Sequence, residues 1–303
     1  MKTQSNLERV LEEGKFAVTG ELGPPTSANA EIVKQKAELL KGSVDAFNVT
    51  DGQTAVARMS SWAAGLIAKE AGLDNFIVQM TTRDRNRLAL QMDILGVSAL
   101  GVNNVVCLSG DHISFGNHPE ARTVYDLDSV NFIDMVRGMR DNGVFQSGDE
   151  IDGPKPNLFI GAAANPFAYP LEVRPIRLEK KINAGVDFIQ TQCLYNMEKF
   201  ERWLDALEER GIQDKVYILA GITPIKSVGA ARYMQSNVPG IDVPDAIVDR
   251  LSGVPKESRA QEGIKIAVET IQKVKEMDGV NGVHIMAIEW EEAVSEIVDR
   301  AEL

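Results

Sequence analysis

Residues 177–209, RLEKKINAGVDFIQTQCLYNMEKFERWLDALEE, contain the pattern that decides the fold. The short, largely apolar run Phe188–Leu194 predicts a buried β-strand. The segments on either side, Arg177–Ala184 and Met197–Glu209, have the apolar periodicity of helices. A buried strand between two helices is typical of a parallel sheet, whose strands are joined by helical crossovers.

Seven more runs of this kind occur along the chain. The additional predicted strands are Phe16–Leu22, Ala46–Thr50, Asn75–Met80, Asn104–Gly110, Leu158–Asn165, Val216–Ile222 and Gly282–Ile288. Most strand starts lie about 30 residues apart, which is the spacing of one strand and helix unit in a barrel. The sequence therefore predicts an α/β protein, a single-domain (β/α)8 TIM barrel over residues 1–303, rather than an open doubly wound sheet.

Helical periodicity fills the segments between the predicted strands. The other predicted helices are Ile32–Lys41, Thr54–Glu70, Arg85–Leu95, Ser129–Asp141, Ile225–Met234, Glu262–Met277 and Glu291–Ala301. The units after strands four and seven are longer than the rest. We expect the first insertion, Asp111–Ile151, to lie over an active site, because long ordered connections in compact domains are often functional.

Composition and charge exclude several classes of partner. With 44 Asp and Glu against 32 Lys and Arg, the net charge of -12 repels phosphate backbones, so no nucleic-acid partner is expected. Cys107 and Cys193 lie in apolar runs and the three histidines lack metal-ligand spacing, so no metal site is expected. No signal peptide and no run of roughly 20 apolar residues occurs, which predicts a cytoplasmic protein without a membrane span.

Polar residues cluster where the predicted strands end. In a (β/α)8 barrel, the carboxyl ends of the strands form the mouth in which active sites are built. The polar residues at these ends are Glu21, Thr50, Asp51, Gln79, Thr81, Ser109, Asp111, Asn165, Gln192 and Tyr195. The sequence thus predicts a mouth lined by carboxyl, amide and hydroxyl groups.

Glu21 is the leading candidate for acid chemistry at this mouth. The two prolines that follow closely, Pro24 and Pro25, stiffen the chain and remove backbone donors near the carboxyl group. A carboxyl group walled by apolar residues is suited to holding a proton and donating it. The alternative is an ordinary turn glutamate.

Six short motifs follow one another along nearly the whole chain. They are Val18–Pro25, Val49-Thr50, Leu108–Asp111, Ala163–Pro166, Lys180–Gln192 and Ala220–Pro224. Each is short, but their order and barrel spacing resemble the methylenetetrahydrofolate reductase family. The resemblance implies a flavoprotein oxidoreductase of one-carbon metabolism, in methionine biosynthesis or acetogenesis. Such an enzyme binds FAD, or alternatively FMN, and reduces 5,10-methylenetetrahydrofolate to 5-methyltetrahydrofolate or catalyses the reverse reaction.

The resemblance implies a role for each matching position. Glu21 matches the family's general acid, which protonates the methylene bridge of the folate. Asp111 matches an aspartate beside flavin and folate, whose charge stabilises the cationic ring-opened folate, and Gln192 matches a glutamine that binds the pterin. The cofactor-binding positions are Thr50, Gln79, Ser109, Gly110, Asp111, Ala163, Asn165, Lys180 and Lys181. A turn role for Asp111 and a solvated helix face for the two lysines are the alternatives.

The chain departs from the family at three positions. Ser109 stands in place of an arginine, Gln79 in place of a histidine, and Val228 in place of an aromatic residue that stacks on nicotinamide and folate. We therefore expect poor direct oxidation of NAD(P)H. The short reductases of acetogens, which this chain resembles, receive electrons from an iron–sulfur partner subunit, and the resemblance implies such a donor here. A homo-oligomer is compatible with the sequence.

Two other functions fit a barrel with a polar mouth. A pterin-binding barrel methyltransferase also uses Asp and Asn at strand ends, but it needs no flavin. A catalytically idle barrel that serves as a scaffold subunit would bind neither flavin nor folate tightly. The presence of Glu21, Asp111 and Gln192 together favours the reductase.

Overall fold

Eight parallel strands close into one barrel in the structure, a computed structural model that describes all 303 residues. Each strand pairs with the next along the chain, and the eighth pairs with the first. The predicted (β/α)8 TIM barrel is confirmed, and every predicted strand overlaps an observed one. The strands are β1 (Ala17–Leu22), β2 (Ala46–Val49), β3 (Phe76–Thr81), β4 (Asn104–Leu108), β5 (Phe159–Ala164), β6 (Phe188–Cys193), β7 (Tyr217–Ile222) and β8 (Gly282–Ile285).

Helices surround the barrel and also precede it. None of them has the length and apolarity needed to cross a lipid bilayer. The helices are α1 (Asn6–Glu12), α2 (Ala30–Leu40), α3 (Ser61–Glu70), α4 (Arg87–Ala99), α5 (Ser129–Arg137), α6 (Val173–Ala184), α7 (Met197–Glu209), α8 (Val228–Asn237), α9 (Asp245–Ser252), α10 (Arg259–Val274) and α11 (Glu292–Ala301).

The structure corrects the sequence interpretation in two helical segments. The helix predicted over Thr54–Glu70 begins only at Ser61, because Thr54 and Ala55 adopt left-handed backbone angles, with φ of 55° and 57°. A right-handed helix cannot include such residues. In the long unit after β7, helix α9 was not predicted at all.

Alternating strand residues fill the inside of the barrel in layers, as the two-residue period of a strand requires. The lowest layer is apolar, and α1 covers it from below with Leu7, Val10 and Leu11. Within this layer the rings of Phe159 and Phe188 stack with centroids 5.1 Å apart. The other strand residues of this apolar cluster are Ala17, Ala46, Ile77, Val106 and Leu219, and Val106 also lines the cavity at the mouth.

The layer above the apolar floor is polar. It consists of Thr19, Asn48, Gln190 and His284, all of which are buried. Because Thr19 and Glu21 are two residues apart on β1, both point inward, and Glu21 lies one layer closer to the carboxyl ends of the strands. The barrel therefore changes from apolar at its amino end to polar at its carboxyl end.

Candidate active site

A cavity of about 490 Å³ opens at the carboxyl ends of the strands. Its wall includes side chains from β1, β3 and β6 and from the connections that follow β2 and β4. Eight of the site residues predicted from the sequence lie in this wall: Glu21, Thr50, Gln79, Asp111, Ala163, Asn165, Lys181 and Gln192.

A second cavity of about 340 Å³ adjoins the first and shares part of its wall. Four further residues predicted from the sequence line only this second cavity: Asp51, Thr81, Ser109 and Gly110. Lys180 is exposed on α6 and lines neither cavity. Tyr195 is buried away from both, and its hydroxyl donates to the Thr223 carbonyl oxygen at 2.8 Å. The residues common to both walls are Gln53, Gln79, Leu108, Asp111, Ala163, Arg177 and Lys181.

Glu21 stands near the end of β1 with its side chain 17% exposed. Carboxylate oxygen Oε2 lies 3.7 Å from Nε2 of His284, which comes from the neighbouring strand β8. On its other side, the buried imidazole places Nδ1 3.0 Å from the hydroxyl of Thr19. Glu21 therefore has one face toward the cavity and one toward a buried histidine.

Gln192 and Gln79 present side-chain amides to the cavity. The Gln192 oxygen Oε1 accepts hydrogen bonds from the backbone N–H of Cys193 at 3.0 Å and from its thiol at 3.2 Å. This leaves the Gln192 amide N–H groups free to donate to a ligand. Amides of this kind match the alternating donors and acceptors at the edge of a nitrogen heterocycle.

Asp111 joins the connection after β4 to the connection after β2. Its Oδ2 accepts a hydrogen bond from the backbone N–H of Thr54 at 2.7 Å, and its backbone oxygen accepts one from Arg83 at 3.2 Å. The left-handed residues Thr54 and Ala55 are thus held in place from across the mouth. The second carboxylate oxygen of Asp111 remains available to a ligand.

One face of α6 is cationic. Arg174, Arg177 and Lys181 are spaced three and four residues apart, so they share a helix face, and all three line the larger cavity. The Lys181 ammonium donates to the Ala163 carbonyl oxygen at 2.5 Å and has no carboxylate partner. Burial and the nearby Arg177 guanidinium lower the pKa of Lys181 to about 8. In a chain of net charge -12, this face is suited to bind an anion.

Sequence reasoning did not single out several residues of the cavity wall, and those with polar groups in their side chains are Gln53, Arg174, Arg177, Gln190, Thr191, Trp203 and His284. Arg174 and Arg177 had a usable signal, since they precede Lys181 at helical spacing. His284 also had one, because it occupies an inward position of β8. Nothing in the local sequence marks Gln53, whose placement depends on the left-handed loop after β2. No group of three His, Cys, Asp or Glu side chains in the structure is arranged to hold a metal ion.

The fold and the cavity define a class of protein: a (β/α)8 barrel with a carboxyl group, free amides and unpaired cations at its catalytic end. A family model described as methylenetetrahydrofolate reductase matches residues 6–302. The chain belongs to the methylenetetrahydrofolate reductase family.

The methylenetetrahydrofolate reductases that are similar to this chain are distant in sequence. Methylenetetrahydrofolate reductase 1 of Schizosaccharomyces pombe is 26% identical over 66% of this chain and 31% of its own length. A probable methylenetetrahydrofolate reductase (NADPH) of Caenorhabditis elegans is 23% identical over 96% of this chain and 43% of its own. This chain therefore spans less than half of these relatives. The 5,10-methylenetetrahydrofolate reductase of Pectobacterium carotovorum is 23% identical, with 91% and 87% covered.

A solved structure shares the fold over the whole chain. It is an uncharacterized protein from Clostridium thermocellum that binds two copies of 5-methyl-5,6,7,8-tetrahydrofolic acid. The TM-score is 0.67 at 17% sequence identity, and the match covers 99% of this chain and 100% of the other. At this identity the likeness concerns the fold.

Proposed function

We propose that this chain is a flavin-dependent 5,10-methylenetetrahydrofolate reductase, an oxidoreductase acting on a CH–NH group that forms 5-methyltetrahydrofolate. The observation that carries the proposal is that Glu21, Asp111 and Gln192 line one cavity. The Pectobacterium relative, which this chain covers almost fully, bears the same activity in its name. The Clostridium neighbour, which binds the product folate, gives further support.

The proposed chemistry begins with proton transfer from Glu21. Its carboxyl O–H bond breaks and an N–H bond forms at the bridging amine of the folate, which opens the five-membered ring and leaves a cationic methylene carbon. The negative charge of Asp111, which lines the same cavity, stabilises that cation. The free amide of Gln192 donates to the pterin and orients it.

The residues of the mouth also fit a flavin. Flavin nucleotides carry phosphate, and Arg177 and Lys181 supply unpaired cations where the two cavities meet. Gly110 has a left-handed φ of 88°, and a Cβ atom there would lie 3.1 Å from the Thr81 side chain, so only glycine suits this tight turn. We assign the remaining contacts to Thr50, Gln79, Ser109, Ala163 and Asn165. Lys180, which the family resemblance also suggested, is exposed outside both cavities and receives no contact. Bound in this way, FAD, or alternatively FMN, supplies the hydride.

The test is anaerobic spectroscopy of the purified protein. We expect a flavin absorbance band, a flavin that can be extracted and identified, and reoxidation of the photoreduced flavin by methylenetetrahydrofolate with formation of an equal amount of 5-methyltetrahydrofolate. Folate binding without any flavin would favour the pterin-binding methyltransferase instead. Failure to bind either molecule would favour a scaffold subunit.

We further propose that electrons reach the flavin from an iron–sulfur partner protein. Val228, at the start of α8, supports this because an aliphatic side chain offers no ring on which nicotinamide can stack. The corresponding experiment measures flavin reduction by NADH and by reduced iron–sulfur proteins separately.

A further inference from the structure

The buried polar layer of the barrel forms a connected hydrogen-bond network. Asn48 and Gln190 exchange two amide hydrogen bonds of 2.7 and 3.0 Å across the barrel. The Gln190 amide nitrogen also lies 3.3 Å from the hydroxyl of Thr19, which contacts the imidazole of His284. Burying polar groups in a barrel interior costs free energy unless each finds a partner, and here each one does. The last member of the network, His284, faces Glu21.

The network favours Nδ1 as the nitrogen of His284 that carries the hydrogen. The Val283 carbonyl oxygen, 3.2 Å from the Thr19 hydroxyl, can only accept, and Nδ1 of His284 lies 3.0 Å from the same hydroxyl; we assign the single Thr19 hydrogen to the carbonyl. The Thr19 oxygen then accepts from Nδ1–H of His284, as it does from Gln190. In the neutral imidazole, Nε2 therefore holds the free lone pair, and Nε2 is the nitrogen 3.7 Å from the Glu21 carboxyl group.

We infer that His284 is the positioning residue for the acid proton of Glu21, which it shares through Nε2. The inference rests on the proposed function, because it concerns the proton that the reduction consumes. A shift of Glu21 by roughly 1 Å brings Oε2 and Nε2 within hydrogen-bond distance. In this arrangement the acid proton can bond to Glu21 or to Nε2 of His284, and both positions lie beside the cavity.

The proton transfer from His284 through Glu21 to the folate needs no further reactant. A proton on Nε2 first passes to Glu21, so that an N–H bond breaks and an O–H bond forms. Glu21 then gives this proton to the folate amine, which leaves a carboxylate beside a neutral imidazole. No electrons are exchanged in these steps, and one proton from solvent restores the pair after the product leaves. A carboxyl group alone loses its proton in water well below neutral pH, whereas an imidazole keeps one close to neutrality.

Two variants separate this role from a structural one. In His284→Asn, the shorter amide still donates to Thr19, but no group remains at the position of Nε2. In His284→Gln, the longer amide still contacts Glu21, although it cannot accept and return a proton. We expect His284→Asn to slow reoxidation of the reduced flavin by methylenetetrahydrofolate by about 10²-fold. The Kd for 5-methyltetrahydrofolate should stay within about twofold, and His284→Gln should recover part of the lost rate.

Wild-type protein is measured first, because its flavin must be reoxidised by the folate if the proposed function is right. If the folate reoxidises the wild-type flavin and His284→Asn keeps the wild-type rate, the inference about His284 is wrong. The inference is also wrong if His284→Asn lowers the reoxidation rate and the affinity for folate together, since that pattern indicates a structural role.

Nitrogen NMR provides a readout that needs neither flavin nor folate. The chain has only three histidines, so selectively labelled protein gives a spectrum that can be assigned. We expect Glu21→Gln to shift the Nε2 resonance of His284 and leave its Nδ1 resonance nearly unchanged. An unchanged Nε2 resonance would overturn the proton sharing, whatever the enzyme's activity.

Discussion

Glu21 and Asp111 carry the same functional group, but the structure gives them different neighbours. Glu21 is largely buried and faces an imidazole, whereas Asp111 is exposed and accepts a backbone hydrogen bond from Thr54. Under the proposed function, these surroundings suit Glu21 to proton donation, whereas Asp111 contributes a carboxylate at the mouth.

Substitution of Glu21 by Gln should nearly abolish folate reduction and leave flavin binding intact. The change keeps size and hydrogen bonding but removes the transferable proton, and general acid catalysis typically contributes about 10² to 10⁴-fold. The measurement is anaerobic reoxidation of dithionite-reduced flavin by methylenetetrahydrofolate. Glu198→Gln, on the exposed face of α7, is the matched control. A near wild-type rate in Glu21→Gln would make Glu21 a turn residue and direct attention to Asp111 or His112.

Lys181 should make flavin affinity depend on pH. Because burial lowers its pKa to about 8, the ammonium is charged below that pH and loses its proton as the pH rises through it. The flavin phosphate should therefore bind more weakly about one pH unit above this value than one unit below it. Fluorescence titration should show weaker binding and a smaller pH effect in Lys181→Gln. Lys180→Gln, which changes the exposed neighbouring lysine, is the control. A pH effect in Lys181→Gln equal to that of the wild type would disprove the contact between Lys181 and the flavin phosphate.

At the scale of elements, the connections after β2 and β4 hold each other in place. The Asn117 side chain accepts from the backbone N–H of Ala57 at 3.1 Å, and Gly116 packs directly on the carbonyl group of Ala55. A Cβ atom at Gly116 would overlap that carbonyl oxygen. The mouth therefore depends on contacts between two segments that are more than fifty residues apart.

Gly116→Ala should separate these two connections and leave the barrel folded. We expect a raised KM for the folate, faster proteolysis between residues 52 and 60, and little change in the circular dichroism spectrum. Gly96→Ala is the control, because nothing lies within 4 Å of a Cβ there and alanine favours a helix interior by about 0.5–1 kcal/mol. Unchanged KM and proteolysis in Gly116→Ala would show that the contact has no role in the site.

Helix α8 should prevent efficient reduction of the flavin by NADH. Val228 packs against the small apolar cluster that includes Ile225 and Ala231, and the tyrosine of this helix, Tyr233, is largely exposed. Without an aromatic surface at Val228, we expect slow or absent bleaching of the flavin by NADH in stopped-flow experiments, although dithionite reduces it. Rapid stoichiometric bleaching by NADH alone would restore direct nicotinamide oxidation.

The strands were predictable from the sequence because burial on both faces leaves short, nearly continuous apolar runs. The start of α3 was not, since Thr54 and Ala55 have acceptable side chains for a helix, and their left-handed turn is held in part by a hydrogen bond from Thr54 to Asp111 in the distant loop after β4. The polar residues of the mouth were predictable from their position at strand ends. Gln53 was not, because its placement depends on the left-handed loop after β2.

At the scale of the whole molecule, α1 contributes to stability at the end of the barrel opposite the mouth. Leu7 is fully buried beneath the apolar floor, so Leu7→Ala should lower the free energy of unfolding by about 2–5 kcal/mol. Leu88→Ala, at a position 63% exposed on α4, should change it by less than about 0.5 kcal/mol. Urea unfolding measures both. Turnover of folded Leu7→Ala should match wild type, and a stability loss no larger than that of Leu88→Ala would contradict this role for α1.

The apolar floor also determines the order in which ligands bind and dissociate. Phe159, Phe188 and Leu219 fill the lower barrel above α1, so a molecule within the barrel can enter and leave only through the mouth. When two molecules occupy the mouth of the barrel at different depths, the one that bound last must dissociate first. A slowly dissociating upper ligand consequently traps the lower one, and the residence time of the deeper molecule is limited by its neighbour and not by its own contacts.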